Sequence, residues 1–174
     1  EEKLHILFNN AGVTANGALA TATLDDWDKV LNVNVRAVFF LTRELLPLLR
    51  AAATPQDPAR IINTGSIGGL HVPNWEAHNY GVSKAAIHHL TRSLAKTLDK
   101  DHITANAIAP GPFPSHMHDT ESEATRRSID TYIPLKRAGT EEDVQGAILF
   151  LASRAGAYVN GHVIPLDGGY IGAL

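Results

Sequence analysis

The sequence predicts an α/β protein with a parallel sheet. Short apolar runs that end in turn residues alternate with longer segments whose apolar residues recur every three or four positions. Strands that alternate with helices are typical of parallel sheets, in which a helix connects one strand to the next. The 174 residues are 44% hydrophobic and 19% charged, which is typical of a globular protein with a sizeable core.

Four apolar runs are predicted as strands. The first stops at Asn9-Asn-Ala-Gly12, the second at Gly65-Ser66, and the third leads into Pro110-Gly-Pro-Phe-Pro. Ligands of parallel α/β sheets bind beyond the carboxyl ends of the strands, so these three loops are expected to meet at one ligand-binding edge. The predicted strands cover residues 4–8, 60–64, 103–108 and 162–166.

The segments between these runs are predicted as helices. Thr23 with Asp26 three residues later is a variant of the capping box, and Thr140 begins a second capped helix. Pro47 falls inside a long helical pattern, where it is expected to bend the helix or mark a junction. The predicted helices begin at Thr23, cover 35–52, 79–100 and 121–131, and run from Thr140 to near Ser153.

Charge and composition exclude several classes of function. The net charge is −3 and no run of Lys or Arg stands out, so neither nucleic acid nor a membrane surface is a predicted partner. The absence of cysteine excludes disulfides and thiol catalysis. The first residues have no signal-peptide pattern, and charges interrupt the apolar stretch 35–49, so a cytoplasmic location is expected.

The nine histidines do not predict a metal site. His116-x-His118 and His88-His89 are the closest pairs, and neither has a third ligand at a recognisable spacing. No bound metal is therefore expected.

The chemically most informative segment is Tyr80-Gly-Val-Ser-Lys84. A Tyr and a Lys four residues apart lie on one helix face. An ammonium beside a phenol favours the phenolate and can lower the pKa of the tyrosine toward working pH, which suits proton exchange with an alcohol or a carbonyl. For the pair taken alone, the alternative is a core tyrosine next to a solvated lysine.

Six motifs together resemble the short-chain dehydrogenase/reductase family, classical type, over essentially the whole chain. The resemblance implies a Rossmann-like doubly wound parallel sheet and an NAD(P)-dependent oxidoreductase that interconverts a ketone and a secondary alcohol. The loop from Pro110 and the helix from Tyr80 are most similar to 3-oxoacyl thioester reductases, including the rhamnolipid-pathway type. The motifs are Asn9-Asn-Ala-Gly12, Asn32-Val-Asn-Val35, Gly65-Ser66, Tyr80-x3-Lys84, Asn106-x3-Pro-Gly111 and Asp167-Gly-Gly169.

The resemblance implies a role for each of four side chains. Tyr80 is expected to be the general acid/base. Lys84 is expected to stabilise the phenolate and bind the nicotinamide ribose, and Ser66 to hold the substrate oxygen. Asn34 is expected to lie in a helix irregularity and bind a water that feeds protons to Lys84. Asn32 is the alternative to Asn34.

The resemblance also implies a dinucleotide, NADP or NAD with NADP slightly favoured, and a small carbonyl or alcohol substrate. Backbone contacts are expected from the Asn9–Gly12 turn, and the Pro110 loop is expected to meet the nicotinamide. Asp167-Gly-Gly169 is expected to be a structural turn. The expected cofactor contacts are Asn9, Ala11, Gly12, Tyr80, Lys84, Pro110, Gly111, Phe113 and Ser115.

The chain departs from the family pattern at its start. No Gly-rich phosphate-binding turn precedes the active-site motifs, so residues 1–174 are expected to be the C-terminal two thirds of a single, N-terminally truncated domain. Strand 4–8 would then expose an apolar edge. The 174-residue chain is therefore predicted to be poorly soluble or unstable and to bind a nicotinamide cofactor weakly.

Smaller departures affect the substrate side. Gly65-Ser66 stands where Ser-Ser is more usual, and the Ser66 to Tyr80 spacing is one residue longer, which is expected to enlarge the loop 71–78. His116, Met117 and His118 are expected in a substrate lid. Helices 35–52 and 79–100 are expected to form a homodimer or tetramer in the full-length protein. The alternative function is a catalytically inactive chain that acts as an oligomerisation partner.

Overall fold

The protein is built on one sheet of four parallel strands in the order β1-β2-β3-β4, as seen in a computed structural model that describes residues 1–15, 17–72, 76–114, 120 and 122–173. The predicted parallel sheet and its strands are confirmed, with the ends shifted by no more than two residues. The strands are β1 Ile6–Asn9, β2 Ala59–Thr64, β3 Ile103–Pro110 and β4 Val163–Leu166.

The strand register brings the predicted loops to one edge. Asn9 pairs with Asn63, Thr64 with Ile108, and Pro110 with Leu166. Since all strands point the same way, the turns that follow β1, β2 and β3 start side by side. The Thr64 hydroxyl donates to the Asn10 side-chain oxygen at 3.1 Å, which joins the first two turns directly.

In the part of the chain that the structure describes, five α-helices accompany the strands. The helices are α1 Leu24–Leu31, α2 Val38–Ala52, α3 His78–Thr97, α4 Glu123–Tyr132 and α5 Glu141–Ala152. A π-helical segment, Asn32–Ala37, joins α1 to α2. Single 3-10 turns lie at Leu19–Thr21, Ile67–Gly69, Asp99–Asp101 and Arg154–Gly156.

Both predicted caps are present. The Thr23 hydroxyl accepts from the Asp26 N–H at 3.1 Å. Thr140 and Asp143 form a full capping box, in which the Asp143 carboxylate also accepts from the Thr140 N–H at 2.8 Å. The start of α1 and of α5 is therefore fixed by local sequence.

Of the two outcomes predicted for Pro47, the helix junction is wrong, and the bend stays a prediction. Helix α2 continues through Pro47 to Ala52. Leu45, Leu46 and Leu49, on both sides of the proline, pack against the core. This burial holds the helix together although the proline removes one backbone hydrogen bond.

The sheet has an apolar core on each face, because neighbouring strand residues point to opposite sides. Ile61 belongs to the core beneath α2 and α3, and Ile62 to the core beneath α5. The first core contains Leu7, Leu49, Ala59, Ile61, Ala95, Leu98, Ile103 and Ala105, and the second contains Ile62, Ile108 and Leu151.

Strand β1 lies at the edge of the sheet, as expected from the sequence. Its first residue, Ile6, is 41% exposed, whereas Leu7 is buried. The predicted poor solubility of the 174-residue chain stays a prediction. In the part of the chain that the structure describes, no helix has the length and apolar character needed to cross a bilayer.

Candidate active site

Helix α3 places Tyr80, Lys84 and His88 on successive turns of one face, as their spacing of four requires. Lys84 is only 4% exposed, an unusual position for a lysine. Its Nζ donates to the carbonyl oxygen of Thr64 at 2.9 Å, at the carboxyl end of β2. The ammonium is thus held at the edge of the sheet where the loops meet.

Ser66 and Tyr80 meet although they are distant in sequence. Ser66 caps the Ile67–Gly69 turn, and its hydroxyl accepts from the Gly68 N–H at 3.1 Å. The Ser66 hydroxyl also lies close enough to the Tyr80 hydroxyl to lower the pKa of Tyr80. Gly68 lies against both side chains, since a Cβ there would be 3.5 Å from Ser66 Oγ and 3.7 Å from Tyr80 Cε1. A larger residue at position 68 would occupy space beside the Ser66 and Tyr80 side chains.

Asn34 lies in the π-helical segment, so the predicted helix irregularity is confirmed. Its side-chain oxygen accepts from the Val13 N–H at 2.8 Å, and its amide donates to the Val13 carbonyl at 2.9 Å and the Ser83 hydroxyl at 3.0 Å. The rival Asn32 is exposed. The structure therefore places Asn34, and not Asn32, inside the cluster, while its proposed link to a water stays a prediction.

Lys84 and Asn34 converge at Gly12. A Cβ on Gly12 would lie 3.4 Å from Lys84 Nζ and 3.5 Å from Asn34 Oδ1. The missing side chain at position 12 therefore leaves space directly in front of both polar atoms. The turn after β1, the π-helical segment and α3 all contribute to this point.

The expected lowering of the Tyr80 pKa is wrong for this structure. Burial raises the pKa of Tyr80 above its ordinary value, and the hydrogen bond from Ser66 only partly offsets that effect. Lys84 Nζ lies 5.5 Å from the centre of the Tyr80 ring and donates to Thr64. The ammonium is thus beside the ring face and not on the hydroxyl, so desolvation dominates.

The pKa of Lys84 moves in the direction that burial requires. Removal from water penalises the ammonium and lowers the pKa of Lys84 to about 8. Lys84 is therefore mostly charged at neutral pH and close to its titration midpoint in mild alkali.

The expected cofactor residues that the structure describes lie at the same edge. The Asn9 side chain donates to Asn63 at 2.8 Å and is buried, so Asn9 can offer only its backbone to a ligand. Gly111 packs against Asp167. A Cβ on Gly111 would lie only 3.1 Å from the Cα of Asp167. The Phe113 ring fills the space beside Gly139, where any Cβ would clash with it.

Ser115, His116, Met117 and His118 lie outside the described residues, as does part of the loop 71–78.

Two motif residues have structural roles. Asp167 accepts from the N–H groups of Gly169 at 3.0 Å and Ile171 at 2.8 Å, which forms the expected turn. Asn106 donates to the Val159 carbonyl at 2.7 Å and accepts from the His162 N–H at 3.0 Å, which fixes the approach to β4. Within the described ranges, no group of three or more His, Asp or Glu is arranged to hold a metal ion.

Sequence reasoning missed Ser83 and His88. Ser83 donates to the Tyr80 carbonyl at 2.7 Å while it accepts from Asn34, so it joins two expected site residues. His88 Nε2 accepts from the Ser66 N–H at 3.4 Å. The spacing of His88, one turn beyond Lys84, was the only signal in the sequence, and a buried partner cannot be inferred from spacing alone.

A half-buried Tyr next to a buried Lys, with a serine and a π-helical asparagine, all at the carboxyl edge of a parallel sheet, defines a class of dehydrogenase-like proteins. A family model described as "Enoyl-(Acyl carrier protein) reductase" matches residues 1–171. The chain belongs to the short-chain dehydrogenase/reductase family.

Curated relatives support this membership. The chain is 44% identical over 170 residues to the rhamnolipids biosynthesis 3-oxoacyl-[acyl-carrier-protein] reductase of Pseudomonas aeruginosa, covering 97% of this chain and 66% of that protein. It is 37% identical over 169 residues to a 3-oxoacyl-[acyl-carrier-protein] reductase of Thermotoga maritima, covering 97% of this chain and 67% of that protein. The chain thus spans about two thirds of the length of these relatives.

Solved structures confirm the Rossmann-like fold class. The Pseudomonas aeruginosa RhlG/NADP active-site complex matches with a TM-score of 0.92 and 44% identity, covering 98% of this chain and 67% of that chain. A gluconate 5-dehydrogenase from Burkholderia cenocepacia in complex with NADP and tartrate matches with a TM-score of 0.90 and 28% identity, covering 99% and 66%. Two different named activities share this fold, so the fold alone does not define the substrate.

The family implies a nicotinamide dinucleotide, and the residues present fit such a group. The Lys84 ammonium has three N–H donors, and the Thr64 carbonyl accepts a hydrogen bond from one of them. The space left by Gly12 opens toward that ammonium. The Lys84 ammonium, next to the space at Gly12, could therefore donate hydrogen bonds to the hydroxyl groups of a ribose.

Proposed function

We propose that the protein containing this chain is an NADP-dependent oxidoreductase that reduces a 3-oxoacyl thioester to the 3-hydroxy product. The observation that carries this proposal is the convergence of Tyr80, Ser66 and Lys84 at the carboxyl edge of the sheet. The names of the relatives support the substrate class.

Tyr80 is the proposed general acid. Because burial raises the pKa of Tyr80, the phenol is protonated throughout the neutral range and can donate to a carbonyl oxygen. Bound NADPH supplies the hydride for the carbonyl carbon. The reverse reaction requires the phenolate, which the raised pKa disfavours.

Ser66 and Lys84 support that proton transfer. The Ser66 hydroxyl, beside the Tyr80 hydroxyl, can hold the same substrate oxygen and align it. The Lys84 ammonium offsets negative charge that develops on Tyr80 after the proton leaves. Asn34 and Ser83 fix the turn of α3 from which Tyr80 projects.

The cofactor is proposed to lie along the strand ends. The backbone of Asn9, Ala11 and Gly12 would face its adenosine side, and Lys84 with Tyr80 the ribose of the nicotinamide. Pro110, Gly111, Phe113 and Ser115 would meet the nicotinamide. The preference for NADP over NAD is supported by solved neighbours that contain NADP.

A homo-oligomer is proposed as the working form. Phe39 and Leu41 on α2 and Val82 on α3 are exposed apolar side chains. Exposed apolar residues on two helices are typical of subunit interfaces. Sedimentation of the full-length protein should show a dimer or tetramer, and a monomer at micromolar concentration would contradict this.

The substrate class is tested by steady-state assays of the full-length protein. NADPH oxidation is measured with a 3-oxoacyl thioester, with a 5-oxo sugar acid as the control for the gluconate-type activity, and with NADH in place of NADPH. The proposal predicts the highest kcat/KM with the thioester and NADPH. Folded protein that turns over neither substrate would favour an inactive oligomerisation partner.

A further inference from the structure

His88 is a buried imidazole that the proposed function leaves unused. It is 2% exposed and lies one helical turn beyond Lys84 on the same face of α3. Its Nε2 accepts a hydrogen bond from the backbone N–H of Ser66 at 3.4 Å. The imidazole therefore contacts the main chain of a proposed site residue.

Two glycines enclose the imidazole. A Cβ on Gly65 would overlap Nε2 and Cδ2 of His88, and a Cβ on Gly69 would lie 2.8 Å from Cε1. Both positions flank Ser66 and the turn that it caps. A side chain at either position could not coexist with His88 in its present place, so the segment 65–69 and His88 are sterically matched.

The acceptor at Nε2 requires a neutral imidazole. Burial lowers the pKa of His88 to about 4; the adjacent Gly69 backbone acts in the opposite direction, and the nearby positive charges of Arg92 and Lys84 lower the pKa further. At neutral pH one ring nitrogen therefore keeps a lone pair, and the contact with the Ser66 N–H assigns that lone pair to Nε2. The proton then lies on Nδ1, which is buried and makes no hydrogen bond with the described residues.

We propose that His88 is a positioning residue, which fixes the backbone of Ser66 through Nε2 and thereby directs the Ser66 hydroxyl toward Tyr80. This inference rests on the proposed function. Without the acceptor, the buried Ser66 N–H loses its partner and the 65–69 turn can rotate. An alternative is that His88 only fills space in the core, which any side chain of similar volume would do.

Three variants of the full-length protein separate these possibilities. His88→Leu keeps the volume and removes the acceptor, His88→Gln restores an acceptor at the position of Nε2, and His89→Gln is an outward control on the same helix. We expect His88→Leu to lower kcat about tenfold, with the Kd for NADPH unchanged, and His88→Gln to recover most of that loss. Equal kcat for wild type and His88→Leu, or equal losses in the Leu and Gln variants, would overturn the proposal.

A measurement without turnover tests the same contact. In protein labelled with 15N-histidine, the His88 resonances at pH 7 should show a proton on Nδ1 and a free lone pair on Nε2. A proton on Nε2 would overturn the proposal whether or not the protein is active. A wild-type protein with the expected tautomer and no turnover would instead contradict the proposed function alone.

Discussion

The side-chain amide of Asn34 donates a 3.0 Å hydrogen bond to the hydroxyl of Ser83, and this contact joins the π-helical segment to α3. The Ser83 hydroxyl in turn donates a hydrogen bond to the backbone carbonyl of Tyr80 at 2.7 Å. The irregular helix and the helix that carries Tyr80 are therefore coupled by two side chains in series.

Replacement of Asn34 should affect both stability and activity. Asn34→Ala leaves the Val13 backbone groups and Ser83 without their buried partner, so we expect the free energy of unfolding to fall by about 2–3 kcal/mol. Asn32→Ala is the matched control because Asn32 is exposed. This variant should change the free energy of unfolding by less than about 0.5 kcal/mol. Urea unfolding measures both. A larger effect at Asn32 would contradict the assignment.

Lys84 is expected to destabilise the fold at neutral pH. The lowered pKa of about 8 means that the folded state holds the ammonium less well than the unfolded state does. Lys84→Met should therefore raise the free energy of unfolding at pH 7 by about 2 kcal/mol, after the lost bond to Thr64 is counted. Lys96→Met, on the exposed side of α3, should have little effect.

The pH dependence of the free energy of unfolding tests whether Lys84 has a lowered pKa in the folded state. Between pH 8 and the ordinary lysine pKa, the unfolded chain binds the extra proton, so the wild type gains stability as the pH rises. The advantage of Lys84→Met should accordingly shrink from pH 7 to pH 10. An advantage that stays constant over this range would show that Lys84 is not titrating as described.

Catalysis should follow the same ionisation. The value of kcat/KM for the carbonyl substrate, measured at saturating NADPH, reports groups that ionise before that substrate binds. We expect it to fall as the pH rises through about 8, because neutral Lys84 no longer offsets charge on Tyr80. Tyr80 itself, with its raised pKa, stays protonated in this range. A flat profile to pH 10 would contradict a role for the ammonium.

Gly12 should matter for the cofactor and not for folding. The Cβ of Gly12→Ala would make ordinary contacts of 3.4 and 3.5 Å with Lys84 and Asn34, so the fold should tolerate it. The added methyl would occupy the space in front of Lys84, and we expect the Kd for NADPH to rise at least about tenfold. Gly17→Ala, which meets nothing within 4 Å, is the control. Calorimetry that shows equal affinities would contradict the cofactor placement.

Local sequence signals predicted most of the fold. The four strands, the caps at Thr23 and Thr140 and the turn at Asp167 depend on neighbouring residues, and all are present. Pro47 does not mark a junction because the helix is held by leucines that pack against distant strands. Only the tertiary structure shows that burial outweighs a local helix-breaking residue.

The candidate site was predictable in its members but not in its electrostatics. Motifs identified Ser66, Tyr80 and Lys84, and the structure brings them together. The direction of the Tyr80 pKa shift depends on burial and on where Nζ points, which no spacing reveals. Ser83 was not predicted as a site residue, and His88 was weighed only as a metal ligand, because their partners, Asn34 and Ser66, lie on other elements.

The central claim is that Tyr80 transfers the proton, and Tyr80→Phe in the full-length protein tests it most directly. The phenylalanine keeps the ring beside Gly68 and removes only the hydroxyl. We expect kcat for the 3-oxoacyl thioester to fall by at least about a hundredfold, while the Kd for NADPH stays within a few-fold of wild type. Turnover at the wild-type rate in Tyr80→Phe would contradict the account.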